Sequence, residues 1–330
     1  MPVARRISSK DTAHSGRREN LLLHRSFMNR TLVRNGIIVT HEQVFRGDIL
    51  IVGESIAEIA SRIEPADAHV IDATGLHILP GLIDAHVHLR DPGATHKEDF
   101  STGTRAALAG GVTTVLDMPN NPIPTTTLTA LEDKRSLARA KAVCDYGLFV
   151  GGTPSNAETI AGCNAVGIKL YMGATTGNLL VAEFDALFPH FEVQSKLPLV
   201  VHAEDNESLR FFERDSSRLR HSAKRPPLSA ALAVSRALAL AEETGRQLHI
   251  AHVSTAHEIE LVRAAKSRGA HVSCEVTPQH LFLTIEDGDR LGAFGIVNPP
   301  LRSRREVHTL WNGLAHCDLV ATDHAPHTIE

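Results

Sequence analysis

The feature that most constrains this chain is a rhythm that begins after Pro80-Gly81 and runs to the last residues. Short apolar runs rich in β-branched residues alternate there with longer stretches of helical character. The runs are LIDAHVHL (82–89), TTVLDMP (113–119), DYGLFVGG (145–152), GIKLYMG (167–173), PLVVHAE (198–204), LHIAHVS (248–254), HVSCEV (271–276) and LVATDHA (319–325). Among the stretches between them are DFSTGTRAALAGG (99–111), LTALEDKRSLARAKA (128–142), LSAALAVSRALALAEETG (228–245) and AHEIELVRAAKSRG (256–269). Strands alternating with helices imply a parallel sheet, and eight such strands are the number that closes a barrel. A doubly wound open sheet is the rival, but no GxGxxG turn follows the first strand. The expected class is α/β, a (β/α)8 TIM-type barrel over residues 81–330.

The segment ahead of the barrel reads differently. TLVRNGIIVT, DILIVGESIAEIA and HVIDATGLHILPG are β-branched runs punctuated by Gly and Asn, the signals of strands and turns. They predict a small N-terminal β-sandwich-like domain over residues 28–80. Residues 1–27 lack apolar periodicity and are rich in Arg and Ser. Such a start is compatible with a targeting segment; it is read here as a disordered leader. The sequence stops at Glu330, close behind the eighth apolar run. The expectation is a barrel truncated after strand eight, with its last helix and the closing strands of the small domain missing.

Composition narrows the function. Against 34 Lys+Arg stand 38 Asp+Glu, a formal charge of −4, which argues against nucleic acid or an anionic membrane as partner. No apolar run approaches the ~20 residues of a membrane span. The four cysteines, Cys144, Cys163, Cys274 and Cys317, form no CxxC pair and read as reduced thiols of a cytoplasmic protein. Twenty histidines are unusual, and histidine is the commonest metal ligand.

The polar residues on the barrel strands carry the chemistry. Active sites of such barrels lie at the carboxyl ends of the strands. Run one ends His86-Val87-His88, and alternate residues of a strand share a face. Two hydrogen-bonded core histidines would look the same. Lys169 interrupts Gly167-Ile168-Lys169-Leu170-Tyr171, where a cation is costly unless paired or chemically changed. Either it snorkels to the strand end, or the amine reacts with carbon dioxide to give a carbamate that bridges two cations. His202, His252 and Asp323 stand at the ends of runs five, six and eight. Together the six residues make a ligand set for two divalent metals. Nitrogen and oxygen donors without thiolate suit zinc, with Mn, Co or Fe as alternatives.

These motifs, PGLIDAHVHLRDPG (80–93), THKEDFSTGTRAALAGGVTTVLDMPN (95–120), GIKLYMGATTGN (167–178), CEVTPQHLFL (274–283), VNPPLR (297–302) and ATDHAPHTIE (321–330), resemble the cyclic amidohydrolases. Among these the chain is most similar to the class I dihydroorotases. The resemblance implies one zinc on His86, His88 and Asp323, a second on His202 and His252, and carbamylated Lys169 between them. Asp323 is implied as the catalytic acid–base. Glu275 and His280 resemble residues kept near the second metal, without direct ligation. Arg90, Asn120 and His327 are implied to hold a substrate carboxylate, with Asn298 against the ring. Arg90 suits bidentate carboxylate binding, although a surface salt bridge would also explain it. The segment 173–178, with Thr175 and Thr176, is either a loop that closes over substrate or an ordinary βα turn.

The implied reaction is zinc-dependent interconversion of dihydroorotate and N-carbamoyl-aspartate in pyrimidine biosynthesis. Allantoinase or hydantoinase activity, and a catalytically dead scaffold, are the alternatives. The resemblance further implies a homodimer or association with aspartate transcarbamoylase.

Overall fold

The computed structural model describes residues 30–329 apart from 65–66, 216 and 218–219; the leader read at residues 1–27 lies outside the described residues. The chain divides into two compact units, one ending at Gly81 and one beginning at Leu82.

The first unit is one mixed sheet of β1 (Arg30–Val39), β2 (Val44–Val52), β3 (Ser55–Ala60), β4 (His69–Asp72) and β5 (His77–Ile78). Its order is β3-β2-β1-β4, and β5 also pairs with β1. β1, β2 and β3 are antiparallel neighbours, whereas β4 and β5 run parallel to β1. Leu32, Leu50 and Ile63 form its buried centre. Beside them the buried Asp48 accepts from the backbone N–H groups of Asn35 and Ile63, both at 2.9 Å.

The second unit carries β6 (Leu82–Val87), β7 (Val112–Asp117), β8 (Asp145–Leu148), β9 (Val150–Gly151), β10 (Ile168–Tyr171), β11 (Leu199–His202), β12 (Leu248–Val253), β13 (Val272–Val276) and β14 (Leu319–Val320). All pairings are parallel, in the orders β6-β7-β8 and β9-β10-β11-β12-β13-β14. β8 and β9 are one strand interrupted at Phe149, so the two sheets run on into eight strands. Val87 bridges to His324, and the His88 N–H donates to the His324 carbonyl at 2.7 Å. That contact closes the ring into a TIM-type (β/α)8 barrel.

The helices begin where local chemistry starts them. Asp99 and Thr255 each form a capping box, on Phe100–Ala109 and Ala256–Ser267, which satisfies otherwise orphaned N–H groups. Pro227 opens the helix Pro227–Thr244, and Gly245, at φ 69°, ends it, the asymmetry expected of those residues. Outward strand residues such as Leu170, Leu199, Val201 and Ile250 pack on Val234, Ala237, Leu238, Ile259 and Val262 of these helices. Met118, Phe149, Val200 and Ala251 fill the barrel interior.

Two strand boundaries differ from the sequence reading in ways that matter. β14 ends at Val320, so Asp323 sits in the loop beyond it, at φ 51°. β6 ends at Val87, so His88 and Arg90 also lie past the strand. Among the described residues, seven short helices fall where none was read: Ala157–Ile160, Phe184–Glu192, Asn206–Glu213, His221–Lys224, Pro278–Phe282, Ile285–Leu291 and Arg304–Gly313. They are short and interrupted, too brief for a periodic pattern.

Candidate active site

The carboxyl ends of the strands surround a cavity of about 610 Å³. His86, His88, Arg90, Asn120, Lys169, Thr175, Thr176, His202, His252, Asn298, Asp323 and His327 all line it. Every site residue read from the sequence is therefore brought to one cavity. Glu275 and His280 do not line it.

Alternation along the strands places Lys169 and His202 inside, opposite to Leu170 and Val201. His252 needs more. By alternation it would share the outer face of Leu248 and Ile250, but its φ is 38° and the pairing register shifts between Ile250 and Val253. That local reversal turns the imidazole inward. Arg90 (φ 61°) and Asp323 (φ 51°) are likewise left-handed. The left-handed region is disfavoured for residues with a Cβ, so three residues of this cavity hold strained backbone, the kind of strain that clusters at functional sites.

The histidines have their tautomers assigned by neighbours that can only accept. His86 Nδ1 lies 2.5 Å from Glu275 Oε1, so Nδ1 donates there and Nε2 is the nitrogen turned to Asp323. His202 Nε2 lies 3.0 Å from Glu204 Oε2, which leaves Nδ1 bare. The Asn120 amide is oriented by its N–H donation to the Thr176 carbonyl at 3.1 Å. Its oxygen therefore accepts from His88 Nδ1 at 2.7 Å and leaves His88 Nε2 turned to Asp323. Burial holds the His88, His202 and His252 pKa values below the ordinary imidazole value, that of His252 furthest. Burial alone would raise the pKa of Asp323, but the imidazoles of His86 and His88 more than offset this and hold it far below the carboxylate range.

Two imidazoles converge on one carboxylate oxygen: His88 Nε2 is 3.0 Å, and His86 Nε2 3.3 Å, from the same Asp323 oxygen. Donor atoms of His86, His88 and Asp323 lie within 4.8 Å of one another. Close by, the fully buried Lys169 Nζ and the His252 Nδ1 have no hydrogen-bond partner among the described residues. Burial lowers the Lys169 pKa to about 8, against the opposing charges of Glu275 and Asp323. The lowered pKa values of His88, His202 and His252, an ionised carboxylate and an amine able to lose its proton suit metal ligation. The donor set fits divalent metal.

Around this group stand residues whose roles lay beyond the sequence reading. Glu275 sits behind His86, where it also accepts the backbone N–H of His252 at 3.1 Å and His249 Nε2 at 3.0 Å. Both nitrogens of His280 are taken, by Thr277 Oγ1 at 2.7 Å and the Pro299 carbonyl at 2.9 Å, so it has no lone pair to offer. Tyr171 also lines the cavity; its place two residues after Lys169, on the same strand face, was the signal for it. Asn120 orients His88 as well as facing the cavity. Asn298 donates to Thr175 Oγ1 at 3.2 Å and lies 2.9 Å from His221 Nε2. Residues 173–178 are further tied by Ala174, whose N–H donates to Asn206 and whose carbonyl accepts from Arg225 at 2.8 Å.

Arg90 stands apart electrostatically. It is 7 % exposed, and its Nε donates to the Pro326 carbonyl at 3.0 Å. Its Nη2 lies 3.1 Å from His327 Nε2. Among the described residues no carboxylate pairs with it, and that of Glu98 is taken by His324 at 2.9 Å. Leu283, Phe294, Ile296 and Leu301 add an apolar part to the cavity lining.

Comparison with known proteins agrees with this architecture. Residues 77–280 match the amidohydrolase family. An allantoinase of Deinococcus radiodurans is 38% identical over 89% of this chain and 69% of its own length. A dihydroorotase of Methanosarcina mazei is 38% identical over 92% of this chain and 68% of its own. The solved L-hydantoinase (dihydropyrimidinase) of Arthrobacter aurescens superposes with a TM-score of 0.85 at 32% identity, covering 90% of this chain and 69% of that one. With the family match, the barrel and a ligand set suited to metal agreeing, the chain belongs to the amidohydrolase family and is a hydrolase of carbon–nitrogen bonds in cyclic amides.

Proposed function

We propose that the chain is a dihydroorotase, hydrolysing the ring amide of dihydroorotate to N-carbamoyl-aspartate and closing it again in the reverse direction. The observation that carries this reading is Arg90, a buried guanidinium on the cavity wall with no carboxylate partner among the described residues. A buried cation is costly unless an anion meets it. Dihydroorotate brings a carboxylate; allantoin, hydantoins and dihydrouracil do not. The relatives named allantoinase and dihydroorotase stand at the same identity, so the choice falls to the site.

Two zinc ions would be held by His86, His88 and Asp323 on one side and His202 and His252 on the other, with Lys169 as a carbamate between them. When bound, such metals polarise a carbonyl and lower the pKa of water at the site. The chain's own residues do the rest. Arg90, Asn120 and His327 hold the substrate carboxylate and so set the ring's orientation. Asp323 takes the proton of the attacking water as the oxygen–carbon bond forms. It returns that proton to the ring nitrogen as the carbon–nitrogen bond breaks, which leaves a free carboxylate and a carbamoyl amine. Thr175 and Thr176 stand over the ring with hydroxyl groups that hydrogen-bond it, and the apolar lining excludes bulk water.

The test is turnover of dihydroorotate, allantoin and dihydrouracil by zinc-loaded protein. Dihydroorotate should be turned over best, and Arg90→Met should raise its KM at least tenfold with metal content unchanged. Faster turnover of allantoin or dihydrouracil would overturn the assignment.

A further inference from the structure

Beside the metal ligands, the cavity wall brings donors together. The ring of His327 lies between two cations. Lys97 Nζ is 3.1 Å from its Nδ1, and Arg90 Nη2 is 3.1 Å from its Nε2. An ammonium and a guanidinium only donate, while a neutral imidazole has one N–H and one lone pair. A cation at 3.1 Å on each side disfavours a third positive charge on the ring, and burial with the charges of Arg90 and Lys97 holds the His327 pKa below the ordinary value. Whichever nitrogen carries the proton faces another donor. One side of the ring is satisfied, and the other needs an acceptor from outside.

The cavity decides which side that is. Arg90 and His327 line it, and Lys97 does not. Nε2 and Nη2 therefore belong to the two residues on the cavity wall, while the Nδ1–Nζ contact involves a residue off that wall and is exposed. The consistent solution puts the lone pair on Nδ1, accepting from Lys97, and the proton on Nε2. Nε2–H and Nη2–H then point at the same region, and one carboxylate oxygen accepts from both.

Building on the dihydroorotase reading, we propose that Lys97 is a specificity-determining positioning residue: it holds His327 in the Nε2–H tautomer and so makes it a second donor, with Arg90, for the substrate carboxylate. Lys97 itself does not touch the substrate. Its ammonium also adds long-range attraction for an anion entering the site.

Two measurements test this on the zinc-loaded full chain. The first is the ¹⁵N spectrum of the histidine rings, with His327 assigned by its loss in His327→Gln. The protein should show an Nε2–H ring, and Lys97→Met should move the proton to Nδ1, because Arg90 then becomes the donor that the ring must accept from. The second is affinity for orotate and for uracil, its carboxylate-free counterpart. A charge-assisted hydrogen bond is worth about a tenfold change in affinity or more. Lys97→Met should therefore weaken orotate about tenfold relative to uracil and raise the KM for dihydroorotate more than it lowers kcat. Lys97→Arg should restore most of both. An Nδ1–H ring in the unmodified protein overturns the proposal, as does orotate affinity within twofold of it in Lys97→Met. Should the protein prefer allantoin or dihydrouracil and bind orotate no better than uracil, the dihydroorotase reading falls. The ring spectra then still decide whether Lys97 sets the tautomer.

Discussion

Lys134 is fully buried on the helix Leu128–Lys141, and removing its charge should cost both stability and site geometry. Its Nζ lies 2.6 Å from Asp117 Oδ2 and donates to the Met118 carbonyl and Asn121 Oδ1, each at 2.7 Å. The ammonium makes one ion pair and two hydrogen bonds. The other oxygen of Asp117 accepts the Leu89 N–H at 2.8 Å, between His88 and Arg90. One ammonium thus ties the end of β7 to the turn that carries a metal ligand and the buried guanidinium. In Lys134→Met the stem volume is nearly kept while Asp117 remains as an uncompensated buried charge. Breaking one partner of a buried pair costs about 3–5 kcal/mol, a large share of the ~5–15 kcal/mol that holds a domain. For a unit of this size that is a fall in Tm of about 6–20 °C, measured by calorimetry on the metal-loaded protein. Lys134→Met combined with Asp117→Asn should recover part of the loss, since no lone charge remains, with a coupling of about 1 kcal/mol or more. A single variant melting within about 2 °C of the parent, or a double variant no better than the sum of its parts, would refute the argument.

Three further outcomes are expected. Lys169→Ala should lose most bound zinc by elemental analysis, with partial recovery of activity in a short carboxylic acid; a fully metallated, active variant would remove the carbamate from the scheme. Glu275→Gln should weaken zinc binding about 10–100-fold in a chelator competition, because the carboxylate charge behind His86 is lost and one of its two accepting oxygens becomes a donor; unchanged affinity would show that the charge behind His86 does not tune the ligand. In the first unit, burial opposes ionisation of Asp48, but hydrogen bonds from Asn35 and Ile63 and the charge of Arg34 win and hold its pKa below the ordinary value. Its contribution is present above the unfolded pKa of ~3.9 and is lost as pH falls through the lower folded value. Asp48→Asn should therefore flatten the loss of stability below about pH 4, and an unchanged acid slope would contradict this.

The sequence by itself determined the barrel and the kinds of ligand in it. Strand and helix periods are local properties, so the alternation after Gly81 could be read without knowing what packs on what. The same alternation put Lys169 and His202 on inward faces, because a polar residue in an apolar strand has few other places to go. Only the tertiary structure decided the rest. His252 belongs by periodicity to the outer face, and a left-handed residue with a register shift turns it inward. Asp323 reaches the histidines from a loop past its strand, where no period applies. Glu275 meets His86 across 189 residues, and Lys97 meets His327 across 230. Lys134, on an amphipathic helix, reads as a solvated lysine until its three buried partners are seen. Hydrogen bonds and ion pairs between distant segments depend on how the ring of strands closes. That closure is set by the packing of the whole barrel rather than by any window of its sequence.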